Sequence, residues 1–524
     1  MAKVLFIYPN INAQESFSHG IASMSGALKA MGIQTRLIHL NERLFGSYSL
    51  EKIAKEVIEF DPLLICFSVM SQQYKYALEI AADLKRRFPY PLAIGGVHTT
   101  MVPHEVAAAG IFDYIGLGEC DNALPALVKA IREERDVTSV PNIWARTESG
   151  DYKRNPVGPF PDLESLAPKD YEIFDLDRML PEMNGWMSMI TSRGCPYRCT
   201  YCFNHQLMKR YRAEAGQKPK EYLRRYPVRR VIAEMKRLKE LHPALSVFII
   251  DDDLFTVNEE YVLEFCDAYS QAGIDLPFVV NGHVQVFNRT MAEALKAAGC
   301  KILKFGLESG SERIRKIVLK REMSNVAIEK AFAIAHEAGL HTSAFIMIGL
   351  PLEEREDIDA TLDLLARIEP GRFRWALFYP FPGTEIHALC EERSLIDPEK
   401  MKALDNFFEA SPLRFSPDQD LYLQKLQRTL HWHVNARTSF DTAPLFQEKI
   451  REINALNAEE WREKTKNYLD EERSLSEQLV KEGGLHYSIR FIQVMAVRSD
   501  YDEDESQGLA KPAKEWKSRP GNSL

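Results

Sequence analysis

Residues 186–202 read WMSMITSRGCPYRCTYC. The first seven form an apolar, strand-like run. Three cysteines then fall within eight residues: Cys195, Cys199 and Cys202. Thiols just past the carboxyl end of a strand stand where parallel α/β barrels keep their chemistry. Five further strand candidates follow: 245–251 (LSVFIID), 277–282 (PFVVNG), 301–308 (KILKFGLE), 342–349 (TSAFIMIG) and 372–380 (RFRWALFYP). Helical periodicity fills the gaps near 228–241, 259–272, 289–298, 311–316, 324–338 and 354–368. These six β–α units predict a partial (β/α)6 TIM-type barrel over 186–385, although a second open sheet satisfies the same periodicity.

Upstream, strand candidates at 4–9, 35–40, 63–68, 91–96 and 112–118 alternate with helix candidates near 19–31, 50–60, 73–88 and 121–134. Such alternation predicts an α/β, Rossmann-like, doubly wound parallel sheet over residues 1–140. Ligands of such sheets lie at the carboxyl ends of the strands. Here those ends carry Pro9-Asn10, Ser68, Gly95-Gly96-Val97-His98 and Gly116-Leu117-Gly118-Glu119. No G-x-G-x-x-G follows the first strand, which argues against a dinucleotide. Residues 141–185 read as a hairpin, turning near Ser149-Gly150-Asp151, and a linker rich in proline and acidic residues. Residues 386–498 read as mostly helical, and 499–524 as a disordered tail.

The chain has 524 residues and a formal charge of −9, which argues against a general nucleic-acid or anionic-membrane binder. No apolar run approaches the roughly 20 residues of a membrane helix. The opening MAKVLFIYPN enters a strand directly, without the apolar stretch and cleavage site of a signal peptide. The clustered cysteines suggest a metal site in a reducing compartment, so a cytoplasmic location is expected. Segment 208–230 is basic with interleaved tyrosines and reads as a solvated helix and loop, with an RNA or phosphate grip as the sharper alternative. Cys66, Cys266, Cys300 and Cys390 fall in apolar patterns and read as packing residues, and His431-Trp432-His433 reads as structural.

Three thiolates at this spacing can wrap one iron–sulfur cluster and leave one iron open. The alternative is structural zinc on Cys195, Cys199, Cys202 and His205. At this point the chain resembles the radical S-adenosylmethionine (SAM) superfamily, whose signature is CxxxCxxC with an aromatic, here Tyr201, before the last cysteine. The resemblance extends over Asp251-Asp252-Asp253-Leu254-Phe255, Gly306-Leu307-Glu308-Ser309-Gly310, Met347-Ile348-Gly349-Leu350-Pro351 and Tyr379–Thr384, all at or after predicted strand ends. It implies a [4Fe-4S] cluster on Cys195, Cys199 and Cys202 whose open iron chelates SAM, and one-electron cleavage of SAM to a 5′-deoxyadenosyl radical. It also implies SAM contacts from Tyr201, Glu308, Ser309 and Gly349. The bland reading of Asp251–Asp253 is that one of them caps the following helix.

The N-terminal stretch resembles the cobalamin-binding domain that precedes many radical SAM barrels, through Gly95-Gly96-Val97-His98 and Phe112–Glu119. This implies a cobalamin site on Ser68, Gly95, Gly96, Val97, His98, Gly118 and Glu119, the alternative being a domain kept for packing alone. None of His19, His39, His98 and His104 sits in a D-x-H-x-x-G pattern, so cobalamin without a histidine on cobalt is expected. The architecture implies a radical SAM enzyme, in its commonest role a methyltransferase acting on an unactivated carbon or phosphorus centre of a small molecule or peptide. It would take electrons from a donor such as flavodoxin or ferredoxin. Ring formation or contraction with the same cofactors, and a zinc-stapled binding protein, are the alternatives. The residues that touch substrate are not legible.

Overall fold

The computed structural model describes residues 2–404 and 410–501, and most of the expected tail lies outside them. The chain divides into two compact units. The first comprises residues 1–253 and 380–389, the second 254–379 and the chain from 390 onward.

In the first unit, β1 (Lys3–Tyr8), β2 (Gln34–His39), β3 (Leu64–Ser68), β4 (Leu92–Gly95) and β5 (Tyr114–Gly116) form a parallel sheet in the order β2-β1-β3-β4-β5. The hairpin β6 (Ile143–Arg146) and β7 (Tyr152–Arg154) continues it antiparallel at the β5 edge. β1 buries nearly every residue of KVLFIY, as a central strand covered on both faces must. β2 alternates exposed and half-buried residues over Gln34, Thr35, Arg36 and Leu37, as an edge strand does, before Ile38 and His39 are buried. Helices His19–Ala30, Leu50–Phe60, Tyr74–Arg87 and Ala123–Arg132 occupy the predicted positions. The short helices Val97–Met101 and Pro103–Ala108 escape a periodicity reading because neither completes two turns.

The strand order reverses between β1 and β3, so their carboxyl ends, Pro9-Asn10 and Val69-Met70, flank the switch point where open sheets bind ligands. There Gln73 Nε2 donates to Asn10 Oδ1 at 2.9 Å, and Asn41 Nδ2 donates to the Asn10 carbonyl at 3.0 Å.

The same unit holds β8 (Trp186–Met189), parallel to β11 (Val247–Ile250). The pair β9 (Ser192–Arg193) and β10 (Arg224–Arg225), antiparallel, is too short to leave a sequence signal.

In the second unit β12 (Phe278–Gly282), β13 (Cys300–Glu308), β14 (His341–Ile348) and β15 (Arg372–Leu377) run parallel in sequential order. Helices Arg289–Ala297, Asn325–Glu337 and Arg355–Ile368 connect them. The helix expected near 311–316 is one π-helical turn, Ile314–Val318. Helices Pro417–Asn435, Ala443–Ala455, Ala458–Lys464 and Tyr468–Lys481 make the C-terminal region mostly helical. Two strands there carry no sequence signal: β17 (Met495–Arg498) pairs antiparallel with β15, and β16 (Tyr487–Ile489) pairs antiparallel with β17. His431 and His433 are buried among these helices, and His431 faces Glu472 at 3.1 Å. Cys66, Cys266, Cys300 and Cys390 are buried, as packing residues. No helix among the described residues is long and apolar enough to cross a membrane.

Candidate functional site

The three aspartates that end β11 organise the cysteine loop. Buried Asp252 accepts four hydrogen bonds from the segment after β8: Thr191 N–H and Oγ1–H at 2.5 Å, Ser192 N–H at 3.0 Å and Ser192 Oγ–H at 2.6 Å. Burial pushes its carboxyl up from the usual range even against these bonds. Asp253 is also raised by burial, while the Asn204 side chain and Gly194 N–H bond its carboxylate and hold it down. Asp251 Oδ2 accepts from Ser188 Oγ–H at 2.7 Å, and Ser188 Oγ in turn lies 2.9 Å from His19 Nε2. None of the three caps a helix, contrary to the bland reading. Asn258 caps Glu259–Gln271 instead, its side chain accepting from Tyr261 N–H.

Gly194, next to Cys195, has φ +91°, and a Cβ there would lie 2.3 Å from the Tyr222 carbonyl. Only glycine fits this turn. Cys202 then serves as N-cap of the helix Phe203–Ala215. None of the eight cysteines is in a disulfide. Burial first, then Asp253 and the neighbouring cysteines, push the thiols of Cys195 and Cys202 up to about 12. The three thiols of Cys195, Cys199 and Cys202 follow one another on this short loop, where only a bound cation would make thiolates favourable. The donor set therefore fits an iron–sulfur cluster. Among the described residues no three His, Cys, Asp or Glu side chains converge as ligands to a single ion do. His205 Nε2 faces Glu385 at 3.3 Å, while its Nδ1 is buried without a hydrogen-bond partner. Tyr201 is half-buried in the loop.

The loop is anchored to the first sheet through ion pairs. Arg193 Nη1 donates to Glu119 and Asp121, each at 2.8 Å, and Arg224 also bonds Glu119. The Glu119 carboxylate is thus engaged by two arginines. Gly118 packs against Tyr211, and its N–H donates to Thr100 Oγ1 at 3.0 Å. Arg224, Arg229 and Arg230 of the basic segment all bond Glu164, Glu119 or the carbonyls of 161–167, which supports the bland reading of that segment.

At the strand ends of the sheet, Ser68 pairs with Gly95 across β3 and β4. Gly96 has φ +109°, and a Cβ would lie 2.4 Å from the Val69 carbonyl. At Gly95, by contrast, a Cβ would meet nothing nearer than 4.0 Å, so this edge is open. Val97 starts the short helix after it. His98 is buried; its Nδ1 lies 3.2 Å from Ser71 Oγ and its ring 4.2 Å from that of Tyr74. Burial lowers its pKa to about 4, and its Nε2 is buried without a hydrogen-bond partner. An open glycine edge beside an orphaned imidazole nitrogen fits a large ligand with polar side arms. His39, also lowered to about 4 by burial, stacks on Tyr8, and His104 meets the edge of Trp144.

The second unit carries the other predicted strand-end residues. Glu308 ends β13 in the left-handed region, φ +67°, at a register shift against β14. A Cβ on Gly306 would lie 2.5 Å from Glu308 Oε1, so this carboxylate folds back over the strand end. Ser309 is fully buried; its hydroxyl accepts from Ser311 N–H at 3.2 Å and lies 3.3 Å from Thr361 Oγ1. Gly349, φ +72°, donates its N–H to Glu353 Oε2 at 2.7 Å, and Leu350 N–H does so at 3.1 Å. Burial pushes the Glu353 carboxyl up to about 8. Sequence reasoning placed Asn10 at a strand end without naming its partners, and it missed Gln73, Asn204 and Glu353, whose partners lie far apart in sequence or on loops without period.

The Radical SAM superfamily model matches residues 189–365, and the B12 binding domain model matches residues 13–128. An uncharacterized methyltransferase of Pyrococcus horikoshii is 26% identical over 64% of this chain and 70% of its own length. The anaerobic magnesium-protoporphyrin IX monomethyl ester cyclase of Cereibacter sphaeroides is 23% identical over 73% of this chain and 63% of its own length. Among solved structures, the radical SAM methyltransferase TsrM from Kitasatospora setae superposes with a TM-score of 0.61 at 18% identity, covering 79% of this chain and 81% of that one. The cobalamin-dependent radical SAM enzyme OxsB gives a TM-score of 0.65 at 14% identity, covering 87% and 71%. These superpositions establish the fold, a B12-type parallel sheet followed by a radical SAM barrel. The chain thus joins a B12 binding domain to a radical SAM domain, and these two domains imply cobalamin, a [4Fe-4S] cluster and SAM as its cofactors.

Proposed function

We propose that this enzyme is a methyltransferase acting on an unactivated carbon or phosphorus centre of a small molecule or peptide. When bound, the cluster and SAM supply a 5′-deoxyadenosyl radical, and cobalamin supplies a methyl carrier. The observation that carries the reading is the loop 190–202, whose three thiols stand at the CxxxCxxC spacing on a segment braced by Asp252 and Asp253.

In this reading Cys195, Cys199 and Cys202 hold three corners of the cluster, and Tyr201 lies against the adenine of SAM. Glu308 accepts hydrogen bonds from the ribose hydroxyls or the ammonium group, while Ser309 and Gly349 contribute through backbone. Ser68, Gly95, Gly96, Val97 and His98 line the cobalamin edge, with His98 Nε2 bonding a side arm. Gly118 and Glu119 act on the cofactor through the backbone and ion pairs they fix. Electrons would come from flavodoxin or ferredoxin, in a reducing cytoplasm suited to eight thiols. Cobalamin would bind without a histidine on cobalt, since none of His19, His39, His98 and His104 sits in a D-x-H-x-x-G pattern. Nitrogen superhyperfine splitting from an axial imidazole in the electron paramagnetic resonance spectrum of bound cob(II)alamin would refute this.

Ring formation is the second reading, favoured by the likeness to magnesium-protoporphyrin cyclases. The deciding experiment is anaerobic reconstitution with methyl-labelled SAM and a panel of candidate substrates. Label recovered in a product supports methyl transfer, whereas 5′-deoxyadenosine with an unlabelled product supports the second reading.

A further inference from the structure

Arg315 is buried completely, in the single π-helical turn Ile314–Val318. Its guanidinium donates to three neutral acceptors: Nε to the Met323 carbonyl at 3.0 Å, Nη2 to Asn325 Oδ1 at 2.6 Å, and Nη1 to the Ser309 carbonyl. The nearest carboxylate in its reach, Glu312, is 3.9 Å away. Burial pulls its pKa down to about 10, so it is still a cation at neutral pH. A buried cation without a close counter-charge is unfavourable, and an apolar side chain would fill the same space more cheaply. π-helical turns, moreover, gather at functional sites.

What the guanidinium secures is the residue after Glu308. Glu308 is a non-glycine residue in the left-handed region at a bulge, and such a conformation persists only where the surroundings impose it. The neighbouring backbone is fixed by three other bonds. Ser309 N–H donates to the Leu307 carbonyl at 2.9 Å, Gly310 N–H to Thr361 Oγ1 at 2.7 Å, and Arg321 Nη2 to the Gly306 carbonyl at 2.7 Å. Arg315 grips the Ser309 carbonyl itself, with a charge-assisted bond. Asn325 closes the ring by donating from Nδ2 to the Gly310 carbonyl at 3.2 Å.

We propose that Arg315 is a positioning residue for SAM binding, whose buried guanidinium holds the Ser309 carbonyl and thereby presents the Glu308 carboxylate to the ligand. It rests on the reading of Glu308 as a SAM contact. The test is a double-mutant cycle on the anaerobically reconstituted holoenzyme, with SAM affinity as the readout. Glu308→Ala and Arg315→Met should each weaken SAM binding about tenfold or more, the scale of one lost charged hydrogen bond, with the cluster spectrum unchanged. In the Glu308→Ala background, Arg315→Met should cause no further loss.

An equal loss in both backgrounds would make Arg315 merely structural and overturn the proposal, as would unchanged affinity in Arg315→Met alone. Unchanged affinity in Glu308→Ala would overturn the reading beneath it, and the proposal with it. If Arg315→Met fails to fold, Asn325→Ala carries the same cycle. It removes one acceptor of the guanidinium and should weaken SAM binding severalfold, again only while Glu308 is present.

Discussion

The cysteine loop in the first unit and the Glu308 turn in the second are braced in opposite electrical senses. The loop presents backbone N–H groups and hydroxyls, and the buried carboxylate of Asp252 gathers four of them. The turn presents the Ser309 carbonyl, and the buried guanidinium of Arg315 gathers it together with the Met323 carbonyl and an amide oxygen. In each case a charged group braces an irregular backbone stretch at a strand end. The lesson is that a strand end must trade ladder hydrogen bonds for side-chain ones, and the sign of the charge follows from which backbone groups the turn leaves unpaired.

The most severe way to probe the first of these sites is to remove its ligands. Replacing Cys195, Cys199 and Cys202 together by Ala should abolish the brown colour, the roughly four irons per chain of one cubane and SAM cleavage. Full iron content in that variant would sink the assignment.

Breaking the brace comes next. Asp252→Ala orphans the Thr191 and Ser192 donors in a buried place, at about 1–3 kcal/mol for each unsatisfied group. Iron retention after gel filtration and the thermal midpoint should both fall. If Asp252→Ala keeps its iron, the carboxylate does not organise the loop.

The turn should respond more selectively. Glu308→Ala should weaken SAM binding roughly 10–150-fold, from about 1.5–3 kcal/mol for a charged hydrogen bond, and leave iron content intact. Loss of iron as well would mean that the two regions are not separable.

The smallest effect is on pH dependence. Burial lowers His39 and His98 to about 4, below the usual value near 6.5. Both are neutral in the folded protein and protonate more readily when unfolded. The stability they contribute is therefore present above pH about 6.5 and lost as pH falls toward about 4. The thermal midpoint should drop over that window, and a His98→Gln variant should drop less steeply. An identical slope would show that His98 is not part of the response.

Much of this protein is written in short-range pattern. Alternating apolar runs and amphipathic helices determine both α/β regions, because strands covered on both faces must be continuously apolar, as β1 is. CxxxCxxC after β8 marks the proposed cluster loop because three thiols within eight residues can reach one centre. The strands β16 and β17 were not legible, since three and four residues are too few for a period. Nor could the sequence tell that Asp251, Asp252 and Asp253 would serve Ser188, Thr191 and Asn204 instead of capping a helix. Periodicity states which face of an element is apolar. Which buried donor meets which buried charge is decided by tertiary packing, because hydrogen bonds act over about 3 Å and their partners here lie tens of residues apart.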